Sequence, residues 1–428
     1  MRKSPGLVLS WIIYEQLGTL HYDFANTIYS AVVVSWAITL HVKEFTRVER
    51  YTFLTMAVSQ AASGLLLPVA GEITDRTSRT RRFLLVLTLL ACVCCAAISV
   101  APRAWMILAL FAAANFCYNA SLTFYDSLLP TLAPKERLGL VSGLGVSLGY
   151  IGVAFALPVG LMARDWWARN GHPHELTPVF AVAGLLYLLF SLPLFLTVPE
   201  KPAAKRTPPG TPLVGLAFRR VCVTLRLLPR HKPILLFLLG NFLCVDALNT
   251  GIVAYAPYVV NVFGLDHAQA GRWMVPFTLC AAALGFLGGK MADAFGGRRT
   301  MLSAGICVAG ALVIGSVATS FTVFMVSFVL LGGYGLSTIW VAGRKLLVEL
   351  VPDGQMGKYF GLYNVGHKLS MVGAVVFGVT ADLRIGPLPA GGYRLGLLLQ
   401  LFLLTAGLIC IYKIGRPDER TAPAGPTR

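Results

Sequence analysis

Gly71-Glu-Ile-Thr-Asp75-Arg76-Thr-Ser-Arg79-Thr-Arg81-Arg82 returns 218 residues later as Gly289-Lys-Met-Ala-Asp293-Ala-Phe-Gly-Gly-Arg298-Arg299. In both copies a glycine is followed four residues later by an aspartate and then by a basic cluster. The same offset relates Pro134 to Pro352, Gly143 to Gly361 and Gly160 to Gly378, and it sets Asp126 against Arg344. Asp23-Phe-Ala-Asn26-Thr27 matches Asp246-Ala-Leu-Asn249-Thr250 at an offset of 223, so the halves differ by five residues early in each copy. A chain that repeats at this period is two copies of one structural unit.

The segments around these motifs define the unit. Apolar runs of helix-spanning length recur near 20–41, 51–72, 83–101, 104–126, 140–163, 178–198, 234–262, 271–292, 300–318, 321–342, 358–381 and 393–413. Only 13% of the 428 residues are charged, against roughly 25% in a soluble domain, which excludes an ordinary soluble globule. The sequence therefore predicts an all-α integral membrane protein with twelve transmembrane helices in two pseudo-symmetric six-helix bundles. The expected domains are a first bundle over 1–198, a basic linker over 199–233, a second bundle over 234–413 and a tail over 414–428. Glu15, Gln16 and His21 interrupt what would have to be an apolar core in a cleavable signal peptide, and residues 4–18 suit an interfacial helix instead.

The net charge of +17 is a matter of placement. With the N-terminus in the cytoplasm, 26 of the 36 Lys and Arg fall on the cytoplasmic side and nine outside, leaving Lys368 at membrane depth. That asymmetry puts both termini in the cytoplasm by the positive-inside rule, and it accounts for the charge without nucleic acid. The proline-rich break from Pro199 to Pro233 separates the halves. Within it, Leu213 to Leu228 carries Arg219, Arg220 and Arg226 among apolar residues, as an interfacial helix or a solvated basic linker would. Nine cysteines, nearly all inside apolar runs, read as small buried hydrophobes. His172 and His174 read as loop residues, and no metal site or cofactor is expected.

The repeated loop between spans 2 and 3 and between spans 8 and 9 resembles the signature of the major facilitator superfamily. A closer resemblance, to the vacuolar amino-acid effluxer branch, rests on Tyr22-Asp-Phe-Ala-Asn26, Tyr125-Asp-Ser-Leu-Leu-Pro130, the glycine-rich stretch from Ser142 to Gly152, Asp246-Ala-Leu-Asn249-Thr250 and Phe360-Gly-Leu-Tyr-Asn364. Ser78 replaces the glycine usual in the first loop, Ala374 stands where proline is usual, and Asp126 where asparagine is common. The resemblance implies two halves that rock about a midplane site lined by spans 1 and 7, and export of amino acids or similar small polar solutes.

A charged group at membrane depth costs at least a few kcal/mol, so each needs a partner, a water-filled cavity or a function. Asp23 with Asn26, and Asp246 with Asn249, share one face of their helices. These pairs could hold an ammonium group, a proton or a polar solute, or could simply bond to neighbouring backbone. Asn115, Asn119, Thr123 and Asp126 form a stripe on span 4 with Tyr118 nearby, and Tyr22 adjoins Asp23. Lys368 lies roughly 15 Å into span 11 beside His367, with Asp246 or Asp23 as candidate partners. At the cytoplasmic ends, Asp126 with Arg76 or Arg79, and Arg344 with Asp293, suit conformational latches that also involve Gly71, Gly289 and Arg298.

These readings converge on a monomeric secondary transporter of a small molecule, embedded in a bilayer such as a bacterial inner membrane and plausibly proton-coupled. A proton-driven exporter of drugs or other metabolites is the alternative within the class. A membrane enzyme would need a catalytic constellation that the sequence does not offer, and a sensor would need a soluble domain larger than any break provides.

Overall fold

The structure, a computed structural model, describes residues 18, 20–76, 80–126, 138–198, 200, 215, 219, 223, 226, 228–351, 356–383, 385 and 390–415; at 68, 70–76, 126, 138–143, 356–358 and 360 it describes the backbone only. Helices run over Leu20–Thr46 (α1), Arg50–Arg76 (α2), Thr80–Ile98 (α3), Ala104–Asp126 (α4), Leu138–Arg169 (α5), Thr177–Thr197 (α6), Lys232–Phe263 (α7), His267–Phe295 (α8), Gly297–Val317 (α9) and Phe321–Leu350 (α10). A broken helix, Met356–Leu369 and Val372–Ala381, forms α11, and Gly391–Tyr412 is α12. The twelve predicted spans are therefore present. Of the linker, Gly215, Arg219, Val223 and Arg226 are helical and exposed, and Leu228 is buried.

Helix is the only open structure that satisfies its own backbone groups in hydrocarbon, and ten of the twelve are long and apolar enough to cross a membrane by length and composition. The other two are informative. α2 carries Ser59, Gln60 and Ser63, and α11 is interrupted at Ser370 and Met371. Neither residue of the interruption is a helix breaker, so the break is imposed by tertiary contacts. On the outward faces apolar side chains follow helical spacing: Leu185, Leu189, Leu192 and Leu196 of α6 are all exposed, as lipid contact requires.

The repeated loops do the same work in each half. Arg81, at the start of α3, donates from Nη1 to the Val198 carbonyl just past α6 at 2.9 Å. Arg298, at the start of α9, donates to the Ile411 and Tyr412 carbonyls that end α12. Each arginine thus caps the orphan carbonyls of the last helix of its bundle. Carboxylates serve the opposite termini: Glu200 accepts from Arg81 N and Arg82 N at 3.1 Å, and Glu349 from Gly297 N at 3.1 Å.

Two seams join the halves. α5 lies along α8, where Ser147 Oγ donates to the Ala282 carbonyl at 2.6 Å and faces Gly285. α2 lies along α11, with Phe53 against Gly378 and Gly64 against Lys368. Within the second bundle α7 and α12 approach closely at Gly240 and Gly407, where a Cβ on either would lie 2.8 Å from the other's carbonyl oxygen. Gly240→Val or Gly407→Val should therefore cost about 1–3 kcal/mol of stability. Thermal denaturation in detergent should show a lowered Tm for each, whereas Gly361→Val, which meets nothing within 4 Å, should leave it unchanged.

Candidate functional site

At the α2–α4–α11 seam a polar chain crosses between the bundles. Asn115 Nδ2 donates to Ser59 Oγ at 2.8 Å, and Asn119 Nδ2 donates to the Asn115 carbonyl at 2.8 Å and to its Oδ1 at 3.2 Å. With its amide hydrogens spent on α4, Asn119 offers Oδ1 outward, and Lys368 Nζ donates to it at 2.9 Å. Asn115 and Asn119 are buried and Lys368 is half-buried. The four-residue step of the stripe puts both carboxamides on one face, and this makes the ladder possible.

Next to Lys368, His367 turns the other way. Asn241 Nδ2 of α7 donates to His367 Nε2 at 2.8 Å, which leaves the imidazole proton on Nδ1. The ring lies 4.1 Å from that of Tyr363 and 4.9 Å from that of Trp340, and Gln60 Nε2 reaches the His367 carbonyl at 3.4 Å. Donors, acceptors and aromatic faces from both bundles therefore converge around the last turn of the first α11 segment. Gln60, Asn241, Tyr363 and Ser59 were not singled out by sequence reasoning. Asn241 stands alone in an apolar run and Ser59 with Gln60 interrupts another, a signal that was available.

The remaining sequence-derived residues separate into distinct places. Asp246 meets α11 on a different side from Lys368: its Oδ2 accepts from Gly373 N at 2.8 Å, while Asn249 Nδ2 donates to the Ser370 carbonyl at 2.8 Å. The Asp-x-x-Asn pair of α7 thus brackets the break in α11. Asp23 lies against Gly145 of α5, and Thr27 bonds to its backbone and to Asn26. Tyr22 is fully buried inside the first bundle, its hydroxyl within 3.1 Å of Thr88, Ser121 and Tyr187, and Tyr118 stacks beside Tyr29. The Tyr22 hydroxyl is thereby committed within the first bundle. Of the latch residues, Asp293 is held by Lys345 at 2.9 Å, while Arg344 Nε donates to the Trp340 carbonyl at 3.3 Å. Gly289 is buried in α8. Arg79 lies outside the described residues, as do the side chains of Asp75, Arg76 and Asp126 and the surroundings of Gly71.

The face opposite the termini is closed by a second set of cross-bundle contacts. Glu49, fully buried, accepts from Lys43 Nζ at 2.7 Å, from Asn261 Nδ2 at 3.2 Å and from the Tyr393 hydroxyl. Lys43 also donates to Asn261 Oδ1 at 2.6 Å, and Glu49 N to Asp382 Oδ1 at 3.2 Å. Trp36 Nε1 donates to the His267 carbonyl at 2.8 Å, and its ring fills the space where a side chain at Gly271 would lie. His267 Nδ1 meets Glu175 at 3.1 Å and Glu44 at 3.6 Å, His174 meets Glu44 at 2.7 Å, and Arg272 reaches Asp165 at 3.7 Å. Burial pushes the Glu49 carboxyl up, opposed by the Lys43 charge. The hydrogen bond from His267, with further help from Arg164, holds Glu175 down to about 2 against a partial burial that raises it.

A carboxyl lowered by this contact stabilises the closed face fully above its ordinary range of about 4.3 and loses that contribution as pH falls toward 2. Acidifying the detergent-solubilised protein below about pH 4.5 should therefore lower its Tm progressively, and Glu175→Gln should flatten that part of the profile. An unaltered slope in the variant would remove Glu175 from the closure.

Twelve helices in two bundles that share a polar crossing point at membrane depth and close over it on one face define a transporter of the major facilitator type. Solved structures share the fold. The nucleoside transporter NupG superposes with a TM-score of 0.68 at 12% identity, over 94% of this chain and all of that one. A bacterial homologue of the human lysosomal transporter Spinster, in an inward-facing and unoccupied conformation, gives 0.65 at 16% identity, over 99% of this chain and all of that one. The model of the vacuole effluxer Atg22-like family matches residues 37–139 and 134–418, and the chain belongs to that family. Among curated relatives, the MFS-type transporter YxiO of Bacillus subtilis (strain 168) is 24% identical over 389 residues, 87% of this chain and 88% of that one. Autophagy-related protein 22 of Yarrowia lipolytica is 23% identical over 284 residues, 56% of this chain and 45% of that one.

Proposed function

We propose that this transporter exports a small polar solute, an amino acid or a similar metabolite, by alternating access across the inner membrane of a bacterium, drawing on a proton gradient. One observation carries the reading: the Lys368 ammonium of the second bundle bonds to the Asn119 carboxamide of the first at membrane depth. A carboxamide is a neutral acceptor, so a solute carboxylate or other strong acceptor can replace it on Lys368. Asn241, His367 and Gln60 add polar groups of the kind that would orient such a solute. The positive-inside asymmetry of the sequence supports an exterior position for the closed face. The conformation described is then sealed toward the exterior, with solute binding from the cytoplasmic side. The family description supports efflux as the direction, and the basic, donor-rich crossing point supports an anionic or zwitterionic cargo. Trp340 and Tyr363 beside His367 favour, as a second reading, export of aromatic metabolites or drugs.

Counterflow in proteoliposomes, scanned over amino acids, aromatic metabolites and cationic drugs with and without a pH gradient, tests the reading. Lys368→Met should lower flux of the cargo about tenfold or more, the size of one charge-assisted hydrogen bond, with Tm preserved. Asp23→Asn and Asp246→Asn should abolish gradient-driven flux while leaving the protein folded. Unimpaired flux in Lys368→Met would refute the crossing point as the solute site.

A further inference from the structure

Asp246 and Gln400 form a second buried polar site, behind the crossing point and wholly within the second bundle. Asp246 is 1% exposed and Gln400, on α12, is fully buried. Around Gly373, at the start of the second α11 segment, three oxygens converge: a Cβ there would lie 2.3 Å from Asp246 Oδ2, 2.4 Å from Gln400 Oε1 and 2.9 Å from Thr250 Oγ1. The Gly373 amide is shared out completely. Its N–H donates to Asp246 Oδ2 at 2.8 Å, and its carbonyl accepts from Gln400 Nε2 at 3.1 Å. The Thr250 hydroxyl donates to the Asp246 carbonyl at 2.8 Å and so has no hydrogen for the cluster.

This leaves a deficit of hydrogen. Asp246 Oδ1 and Gln400 Oε1, both buried acceptors, have no hydrogen-bond partner. Turning the Gln400 amide over would aim its N–H groups at Asp246, but would lay its oxygen against the Gly373 carbonyl and leave another pair of acceptors face to face. Among the described residues no cation makes up the difference. Of the charged and titratable groups on helices packed against α7, Lys368 is on Asn119, His367 on Asn241, Lys43 on Glu49, and Arg394 on the Ser316 and Ala318 carbonyls. Arg344 is on the Trp340 carbonyl, Lys345 on Asp293, and Asp23 lies against Gly145. A buried carboxylate with no countercharge, beside a second unpartnered acceptor, is costly.

We infer that in this conformation Asp246 carries a proton and donates it to Gln400 Oε1, so that the two residues are the seat of the proton the transporter exchanges. A hydrogen on the carboxyl that shares the Gly373 space with Gln400 Oε1 supplies that oxygen with a donor and neutralises the site in one step. Gln400 is a positioning residue, and Gly373 is required because any side chain would occupy the space the oxygens share. The site is linked mechanically to the crossing point. Asp246 holds the N-terminus of the second α11 segment, while Asn249, one turn on, holds the end of the first, which presents Lys368 and His367. Loss of the proton leaves Asp246 a buried anion held only by backbone N–H groups at the start of the second α11 segment, and favours a rearrangement at the break that moves Lys368 relative to Asn119. The use of the proton rests on the transport reading above; its location does not.

Infrared spectroscopy of the full chain in liposomes at neutral pH, exchanged between water and deuterium oxide, reads the proton without any solute. The wild type minus Asp246→Asn difference should contain the carbonyl-stretch band of a protonated carboxylic acid, sensitive to deuteration. Gln400→Leu should shift that band to higher frequency or lose it to carboxylate bands, while Gln400→Glu should add a second acid band. Carboxylate bands alone in the Asp246→Asn difference, or an acid band unmoved by Gln400→Leu, would overturn the inference. Should Asp246→Asn fail to fold, the wild-type and Gln400→Leu spectra recorded against pH still decide: the acid band must be lost at lower pH in the variant. Absence of transport in counterflow would leave this result standing, and absence of the band would leave the transport reading standing.

Discussion

A lysine ammonium at membrane depth is the constraint around which this molecule is arranged. The charge of Lys368 cannot be left in hydrocarbon, and the acceptor it finds belongs to the other bundle. Asn119 can present its oxygen because its amide hydrogens are committed to Asn115, which in turn is fixed by Ser59. On the other side, the α11 segment that carries Lys368 ends at a break that α7 holds open through Asp246 and Asn249. Removing any one of these supports leaves either the ammonium or a helix terminus without a partner, so the polar groups of α2, α4, α7 and α11 act as one network.

The two faces of the molecule are built differently. Opposite the termini, the bundles are sealed by Glu49, Lys43, Asn261 and Tyr393 and by the paired histidines and carboxylates around His267, most of them in or next to the short connections between helices. On the terminal side, arginines and glutamates fasten helices within each bundle: Arg81 and Glu200 in one, Arg298 and Glu349 in the other. On the proposed alternating-access reading, contacts of the first kind break when a solute leaves, and those of the second keep each bundle rigid.

Much of this was legible in the chain. The repeat, the twelve apolar runs and the charge asymmetry have direct physical causes and predict the fold, because helix in lipid must satisfy its own backbone. Asn115, Asn119, Asp246, Asn249 and Lys368 were recognisable as polar groups at membrane depth. Their pairings were not. Lys368 was expected to meet an aspartate and bonds to Asn119; Asp293 meets Lys345, next to the expected Arg344. Sequence spacing fixes which residues share a helix face, but which face meets which is decided by packing of glycines such as Gly64 and Gly373 against a neighbour. Glu49, Lys43 and Asn261 were out of reach for a stronger reason. In sequence they look like ordinary charged and polar residues at helix ends, and only closure of the two bundles buries them together.

The central claim is that the bundles are joined at the Lys368 crossing point and sealed at one face, and that this face opens during transport. Electron-electron resonance distances between spin labels at Arg103 and Ser320, two exposed residues on that face in different bundles, in a background free of other cysteines, test it most directly. The account predicts a single distance population in the wild type and a second one at longer distance when Lys43→Met and Glu49→Gln remove the seal. The same single population in both proteins, with no longer component, would contradict it.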